Sequence, residues 1–247
     1  MNQGDSLKFA VVIPARLAST RLPEKPLVDI GGVPMIVRTW RRSVEAVGAD
    51  RVWVATDSER IAEACRKVGA QVVATSDSCL TGTDRVAEAA ARIDADVFVN
   101  VQGDEPLMPP RDILAVIEEA QRHPNCVING WCRIANEAEY RSTAIPKVII
   151  AEGGRLLYMS RAPVPGSKSG SFRFARRQEC VYAFPRRALA LFSGRSKKAE
   201  HEAIEDIEIL RFLEMGEEVR MVELSTESVA VDTPEDLERV RGLLAER

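Results

Sequence analysis

The stretch FAVVIPARLASTRLPEKPL, residues 9–27, opens as a nearly continuous apolar run and turns, after Ala15, into a loop crowded with charge. An apolar run without polar alternation is how a strand covered on both faces reads. Three more such runs follow: RVWVATD (51–57), AQVVAT (70–75) and VFVNVQ (97–102). Between them the apolar spacing is helical, from Pro34 to about Val47, Ser58 to Val68, Thr83 to Ile93 and Pro110 to Arg122. The punctuation agrees, with Pro34 at a first helical turn, Ser58 as an N-cap, and Gly48 and Gly69 just past helix ends. Strand and helix therefore alternate through residue 122, which predicts βαβ crossovers. The fold class expected is α/β with a mainly parallel central sheet, and ligands at the carboxyl ends of its strands.

Beyond residue 127 the pattern loosens. VING, KVIIAE, RLLYMSRA and CVYAF read as strands, and a Gly/Ser/Arg-rich stretch occupies 166–177. Helical spacing returns at 199–215 and 234–245, the latter with Thr233 as N-cap, Pro234 in the first turn, and Glu235 and Asp236 suited to the helix dipole. Trp53 and Trp131 are expected in the core or on strands rather than as platforms for a base.

Bulk properties narrow the function. Among 247 residues, 34 basic and 37 acidic side chains leave a formal charge of -3, so no global field favours nucleic acid or an anionic membrane. An anionic ligand must be met by a local cluster. Hydrophobic residues, 45% of the chain, suffice for a substantial core. Cys65, Cys79, Cys126, Cys132 and Cys180 lack the short paired spacing of a zinc site and the density of a disulfide scaffold, which points to a reducing cytoplasm. The opening MNQGDSLKFAVVIPA, with its short apolar run broken by Pro14, suits neither a secretory leader nor a membrane span.

Two segments carry chemistry. The loop after the first strand gathers Arg16, Arg21 and Lys25 with Ser19 and Thr20 within ten positions. Guanidinium forks, a point-charge ammonium and hydroxyl donors are what a triphosphate needs, although neither a P-loop nor a dinucleotide fingerprint is present. A solvated surface loop has the same composition; the position after the first strand of a parallel sheet favours the ligand. The second segment, VFVNVQGDEP, ends a strand in Gln102, Gly103, Asp104 and Glu105. It delivers a carboxylate of the kind Mg2+ takes, and Gly103 allows close backbone approach. An acidic turn before a helix is the plainer reading. Asp232, within ESVAVDTPED, reads locally as a cap-region residue, and paired with Asp104 it could complete a metal site for nucleotidyl transfer.

Six segments together resemble the 3-deoxy-manno-octulosonate cytidylyltransferase family, over nearly the whole chain: VVIPARLASTRLPEKPLVDIGGVPMI (11–36), VATDSERI (54–61), TGTDRVAEAA (81–90), VNVQGDEPL (99–107), LYMSRAPVP (157–165) and VDTPEDLERV (231–240). The resemblance implies a Rossmann-like nucleotidyltransferase fold with a smaller acceptor and dimerisation subregion, in one domain of three parts: about 1–125 for nucleotide, 126–200 for acceptor and dimer contacts, and 201–247 returning helices and the metal aspartate. It implies a homodimer using CTP, Mg2+ and an acidic keto sugar, with in-line attack by the anomeric hydroxyl on the α-phosphorus. Arg16, Ser19, Arg21 and Lys25 would meet the triphosphate, Arg16 and Lys25 would steady the leaving pyrophosphate, and Arg85 would sit close to the nucleotide. Asp104 and Asp232 would hold metal, while Gln102 and Arg161 would face the sugar acid. Taken alone, Arg85 reads as a helix-face charge and Arg161 as a surface cation.

The chain departs from the family at the acceptor. Where the family has His-x-Gly-x-Tyr, it reads Gln178, Glu179, Cys180, Val181, Tyr182, keeping the tyrosine. In the helix beginning His201, Glu205 is kept and Ile209 replaces a glutamine, and RFARRQE (173–179) adds cations nearby. Gln178, Tyr182 and Glu205 are thus expected on the acceptor side, with transfer chemistry intact. A related acid such as an 8-amino ulosonic acid is the alternative acceptor. A sugar-phosphate nucleotidylyltransferase and a non-catalytic nucleotide-binding module are the more distant readings.

Overall fold

The computed structural model describes residues 7–195 and 197–245, so the first six residues of the opening segment lie outside the described residues. The strands are β1 Phe9–Ala15, β2 Asp29–Ile30, β3 Val33–Pro34, β4 Val52–Thr56, β5 Gln71–Ala74, β6 Val97–Val101, β7 Val127–Arg133, β8 Lys147–Ile150, β9 Leu156–Ser160, β10 Arg176–Pro185 and β11 Val219–Glu223. The helices are α1 Met35–Val47, α2 Glu59–Arg66, α3 Gly82–Ala90, α4 Pro110–Arg122, α5 Glu137–Arg141, α6 Arg186–Ser193, α7 Glu200–Glu205, α8 Ile209–Glu214 and α9 Pro234–Ala245. Among the described residues, no helix is long and apolar enough to cross a membrane.

The main sheet runs β11-β7-β10-β6-β1-β4-β5, with β8 and β9 attached to it as a hairpin through β10. β6, β1, β4 and β5 are mutually parallel, as are β7 and β11, while β10 runs antiparallel between β6 and β7. β1 shows why its run lacks polar alternation. Ala10 and Val12 enter one core with Val86 and Ala89 of α3, and Val11 and Ile13 enter the opposite core with Ile36 of α1 and Ile61 of α2. Both faces are dry, so both sets of alternate positions must be apolar.

Three elements differ from the sequence reading. Pro34 caps α1 from outside the helix, with ψ at 141°, instead of occupying its first turn. The single helix expected over 199–215 is two, because Asp206 takes a left-handed φ of 51° between α7 and α8. A residue in that region ends helical hydrogen bonding. The two pieces are joined by a buried ion pair: Arg211 meets both Glu202 oxygens at 2.5 and 2.6 Å, stacks on Phe192 at 3.6 Å and reaches Asp84 at 3.3 Å. Third, the CVYAF strand begins four residues earlier, at Arg176, and carries a bulge: Glu179 pairs with Gly130 and Tyr182 with Asn129. The Asn129 amide donates to the carbonyls of Glu179 and Val181 at 2.9 and 3.0 Å, which satisfies the bulged backbone. Both Trp53 and Trp131 are half-buried and packed against the core, with Arg176 stacked 4.7 Å from the Trp131 ring.

Candidate active site

A cleft of about 430 Å³ opens at the carboxyl ends of β1 and β6. β1 ends in Pro14 and Ala15 and releases the loop that carries Arg16, Ser19, Arg21 and Lys25 into the cleft wall. The loop is tied down at its far end. Glu24, at a left-handed φ of 53°, is paired with both terminal nitrogens of Arg60 on α2. β6 ends beside it, and there a Cβ on Gly103 would stand 2.9 Å from the Pro14 carbonyl oxygen. Only glycine lets the two strand ends approach so closely. The Thr39 hydroxyl donates to the Gly103 carbonyl at 3.1 Å and fixes that turn.

Next in the chain, Asp104 places Oδ2 2.5 Å from Lys25 Nζ, and Asp232 Oδ1 lies 2.9 Å from the same ammonium. Asp232 also meets Arg21 at 3.0 Å. The two aspartate segments are stitched by a backbone bond from Val231 N–H to the Asp104 carbonyl at 3.0 Å. Asp232 itself stands just ahead of a reciprocal cap in which Thr233 and Asp236 bond each other's backbone N–H. Burial works to lower the Lys25 pKa, but the two aspartates outweigh it and hold the ammonium above the ordinary lysine value. Burial likewise works to raise the Asp232 pKa, and Lys25 and Arg21 overcome it, leaving the carboxyl below its usual range. Arg85, 3% exposed on α3, is aimed by Thr75 at 2.5 Å and Asp57 at 3.0 Å. Gln102 completes this side, its amide 3.4 Å from Asn100 Oδ1.

A model of the cytidylyltransferase family matches residues 10–220. The 3-deoxy-manno-octulosonate cytidylyltransferase of Escherichia coli is 34% identical over 239 residues, covering 97% of each chain. Its counterpart from Chlorobium phaeovibrioides is 42% identical over 242 residues, covering 96% of this chain and 98% of the other. The chain belongs to the 3-deoxy-manno-octulosonate cytidylyltransferase family. A solved CMP:2-keto-3-deoxy-manno-octonic acid synthetase, complexed with CTP, superposes with a TM-score of 0.90 at 34% identity, covering 97% of this chain and 99% of that one.

In this cytidylyltransferase the cleft collects Arg16, Ser19, Arg21, Lys25, Arg85, Gln102, Asp104 and Asp232, residues spread over more than two hundred positions. The other four residues singled out in the sequence, Arg161, Gln178, Tyr182 and Glu205, are not among its lining. Arg161 donates to the carbonyls of Glu205, Asp206, Thr143 and Ala144 at 2.5 to 3.4 Å. Glu205 accepts from the Ser160 hydroxyl at 2.6 Å and the Arg161 backbone N–H at 2.8 Å. The two residues thus strap the end of β9 to the α7–α8 junction. Gln178 donates to Asn129 Oδ1 at 3.0 Å and lies 3.5 Å from the Tyr182 hydroxyl, in a row of amides and phenol across β7 and β10. Burial pushes the Tyr182 phenol and the Cys180 thiol well above their usual values.

Several residues of the site gave little signal in the sequence. Glu208 lines the cleft and accepts the Thr83 N–H at the start of α3, at 2.9 Å; in the sequence it is one acidic position among several in a helical pattern. Ile209 is 1% exposed in the core, so the glutamine-to-isoleucine departure is a packing change. Lys198 and Asp206 also line the cleft, paired at 2.7 Å; Lys198 precedes the helical spacing of 199–215, and Asp206 is hidden inside it. Behind Asp104, Glu105 is buried with a pKa pushed up to about 8 by burial and the neighbouring aspartate charge, and it accepts the Ser228 hydroxyl.

Proposed function

We propose that the chain transfers CMP from CTP to the anomeric hydroxyl of 3-deoxy-manno-octulosonate, releasing pyrophosphate and the CMP-sugar used in lipopolysaccharide synthesis. The observation that carries this is the meeting, in one cleft, of a strand-end loop bearing Arg16, Ser19, Arg21 and Lys25 with the carboxylates of Asp104 and Asp232. It occurs in a chain 34% identical to a synthetase solved with CTP. Phosphoryl transfer needs little covalent help from the protein and much positioning and charge neutralisation. Arg16 and Lys25 would neutralise the departing pyrophosphate, with Arg21 and Ser19 completing its contacts and Arg85 held close to the nucleotide.

Asp104 and Asp232 converge on a single cationic point, taken here by the Lys25 ammonium. Among the described residues no cluster of three or more metal-ligating side chains exists, and a pair of carboxylates suits Mg2+, which fills its other positions with phosphate oxygens and water. Bound there, Mg2+ would neutralise phosphate charge and increase the acidity of the attacking hydroxyl. Gln102 would face the acceptor from the cleft lining, with the Gln178–Tyr182 row and the Arg161–Glu205 strap supporting its wall from outside that lining.

A homodimer accords with the exposed apolar side chains on β9 and α7: Leu157, Tyr158 and Ile204 are 47%, 37% and 74% exposed, and among the described residues β9 pairs with β8 alone. The test is pyrophosphate release with each nucleoside triphosphate against a panel of ulosonic acids, an 8-amino acid included, and of sugar phosphates. CTP with 3-deoxy-manno-octulosonate is expected to give the highest kcat/KM. Turnover only with a sugar phosphate, or with none of the acids, would refute the reading.

A further inference from the structure

Among the described residues, the cleft lining holds one cation for which the transfer chemistry above has no use. Lys198 stands between α6 and α7 and lines the cleft with Asp206 and Glu208. Its side chain is 32% exposed, and its ammonium lies 2.7 Å from Asp206 Oδ1. The other cations of the cleft are committed. Arg21 and Lys25 meet the two aspartates, Arg16 belongs to the phosphate loop, and Arg85 is bound to Thr75 and Asp57. Arg161, which the family resemblance has facing the sugar acid, spends its guanidinium on four backbone carbonyls outside the lining.

An acidic acceptor brings a carboxylate to a wall that already carries Asp206 and Glu208. Like charges repel there unless a cation intervenes, and a partly desolvated carboxylate needs a charged hydrogen-bond donor. We infer that Lys198 receives the acceptor's carboxylate, with Asp206 holding the ammonium in place, and that Arg161 is a positioning residue acting through the Glu205–Asp206 turn. The inference rests on the acidic-acceptor reading of the preceding section. A half-exposed ion pair contributes little by itself, so Asp206 can share the ammonium with an arriving carboxylate at small cost. The left-handed backbone of Asp206, φ 51°, is pinned by Arg161 at 3.1 Å, which keeps the wall in register with Lys198.

The experiment measures pyrophosphate release from CTP by wild-type, K198M and R161K proteins. Each is given 3-deoxy-manno-octulosonate or the same sugar with its carboxylate replaced by a neutral carboxamide, and melting curves report folding. K198M is expected to raise KM for the acid about tenfold, leave KM for CTP within a factor of about three, and barely affect the amide, so that acid-over-amide selectivity falls about tenfold. R161K is expected to melt earlier and turn over more slowly while keeping that selectivity. The inference is overturned if K198M keeps its selectivity, or if its loss falls on CTP. It is also overturned if R161K loses selectivity while K198M does not, which would return the carboxylate to Arg161. Failure of the functional reading shows separately, as wild-type protein that does not turn over the acid, and it removes this inference with it.

Discussion

Residues 16–25 and residues 198–208 line the same cleft and are put there by different means. The first set is one short loop leaving one buried strand, so its cations arrive together whatever the rest of the chain does. The second is assembled from a broken helix, a strap to β9 and a buried ion pair reaching α3. A side that binds an invariant triphosphate can be written in one contiguous motif. The side proposed to read a particular acid rests on distant supports, so changes in packing would reach it as readily as changes in contact.

The largest effect that would break this contrast is at the aspartates, which stand beside the phosphate loop and are proposed to serve both sides. Asp104→Asn and Asp232→Asn are each expected to lower kcat by two or more decades, several kcal/mol of barrier, across a Mg2+ titration and with the melting curve preserved. Near-normal turnover by Asp232→Asn would remove the two-carboxylate site. On the supporting side, Glu202→Gln leaves the Arg211 guanidinium fully buried with Asp84 as its remaining charged partner among the described residues. It should cost about 3 kcal/mol of folding stability in a urea melt. A loss no greater than at an exposed pair would mean the α7–α8 junction is held by packing alone.

A smaller effect sharpens the comparison. Gln178→His combined with Cys180→Gly is expected to change kcat/KM for the acid by at least about tenfold, roughly 1.4 kcal/mol, with KM for CTP within a factor of about three. An effect on CTP alone would place residues 178–182 away from the acceptor. Smallest of all, Arg111→Ala removes an exposed pair with Glu227 on neither side of the cleft. It should shift the melting temperature by no more than about 2 °C and leave turnover unchanged.

The same contrast explains what could be read from the sequence. Strand-helix alternation through Arg122 and the cations of the 16–25 loop are local properties, visible in periodicity and spacing, and the structure gathers them as read. The break at Asp206 was not legible, because 199–215 is helical in spacing and the break is imposed by tertiary ties from Arg161 and Arg211. Arg161 reads locally as a surface cation and is placed on the sugar acid only by the resemblance; the backbone carbonyls it binds come from Thr143, Ala144, Glu205 and Asp206, contacts that no local pattern shows. The β10 bulge is set by Asn129, about fifty residues earlier, and no local signal announces it.

The ammonium of Lys25 between two aspartates has a practical consequence. The polypeptide carries its own counter-charge at the point where a divalent ion would sit, so the integrity of the protein is uncoupled from the supply of that ion. With Mg2+ held there as proposed, the folded protein is expected to withstand chelators, and removal of metal would stop turnover without unfolding the chain. The stock of folded catalyst would stay in place, ready to resume when metal and nucleotide return together.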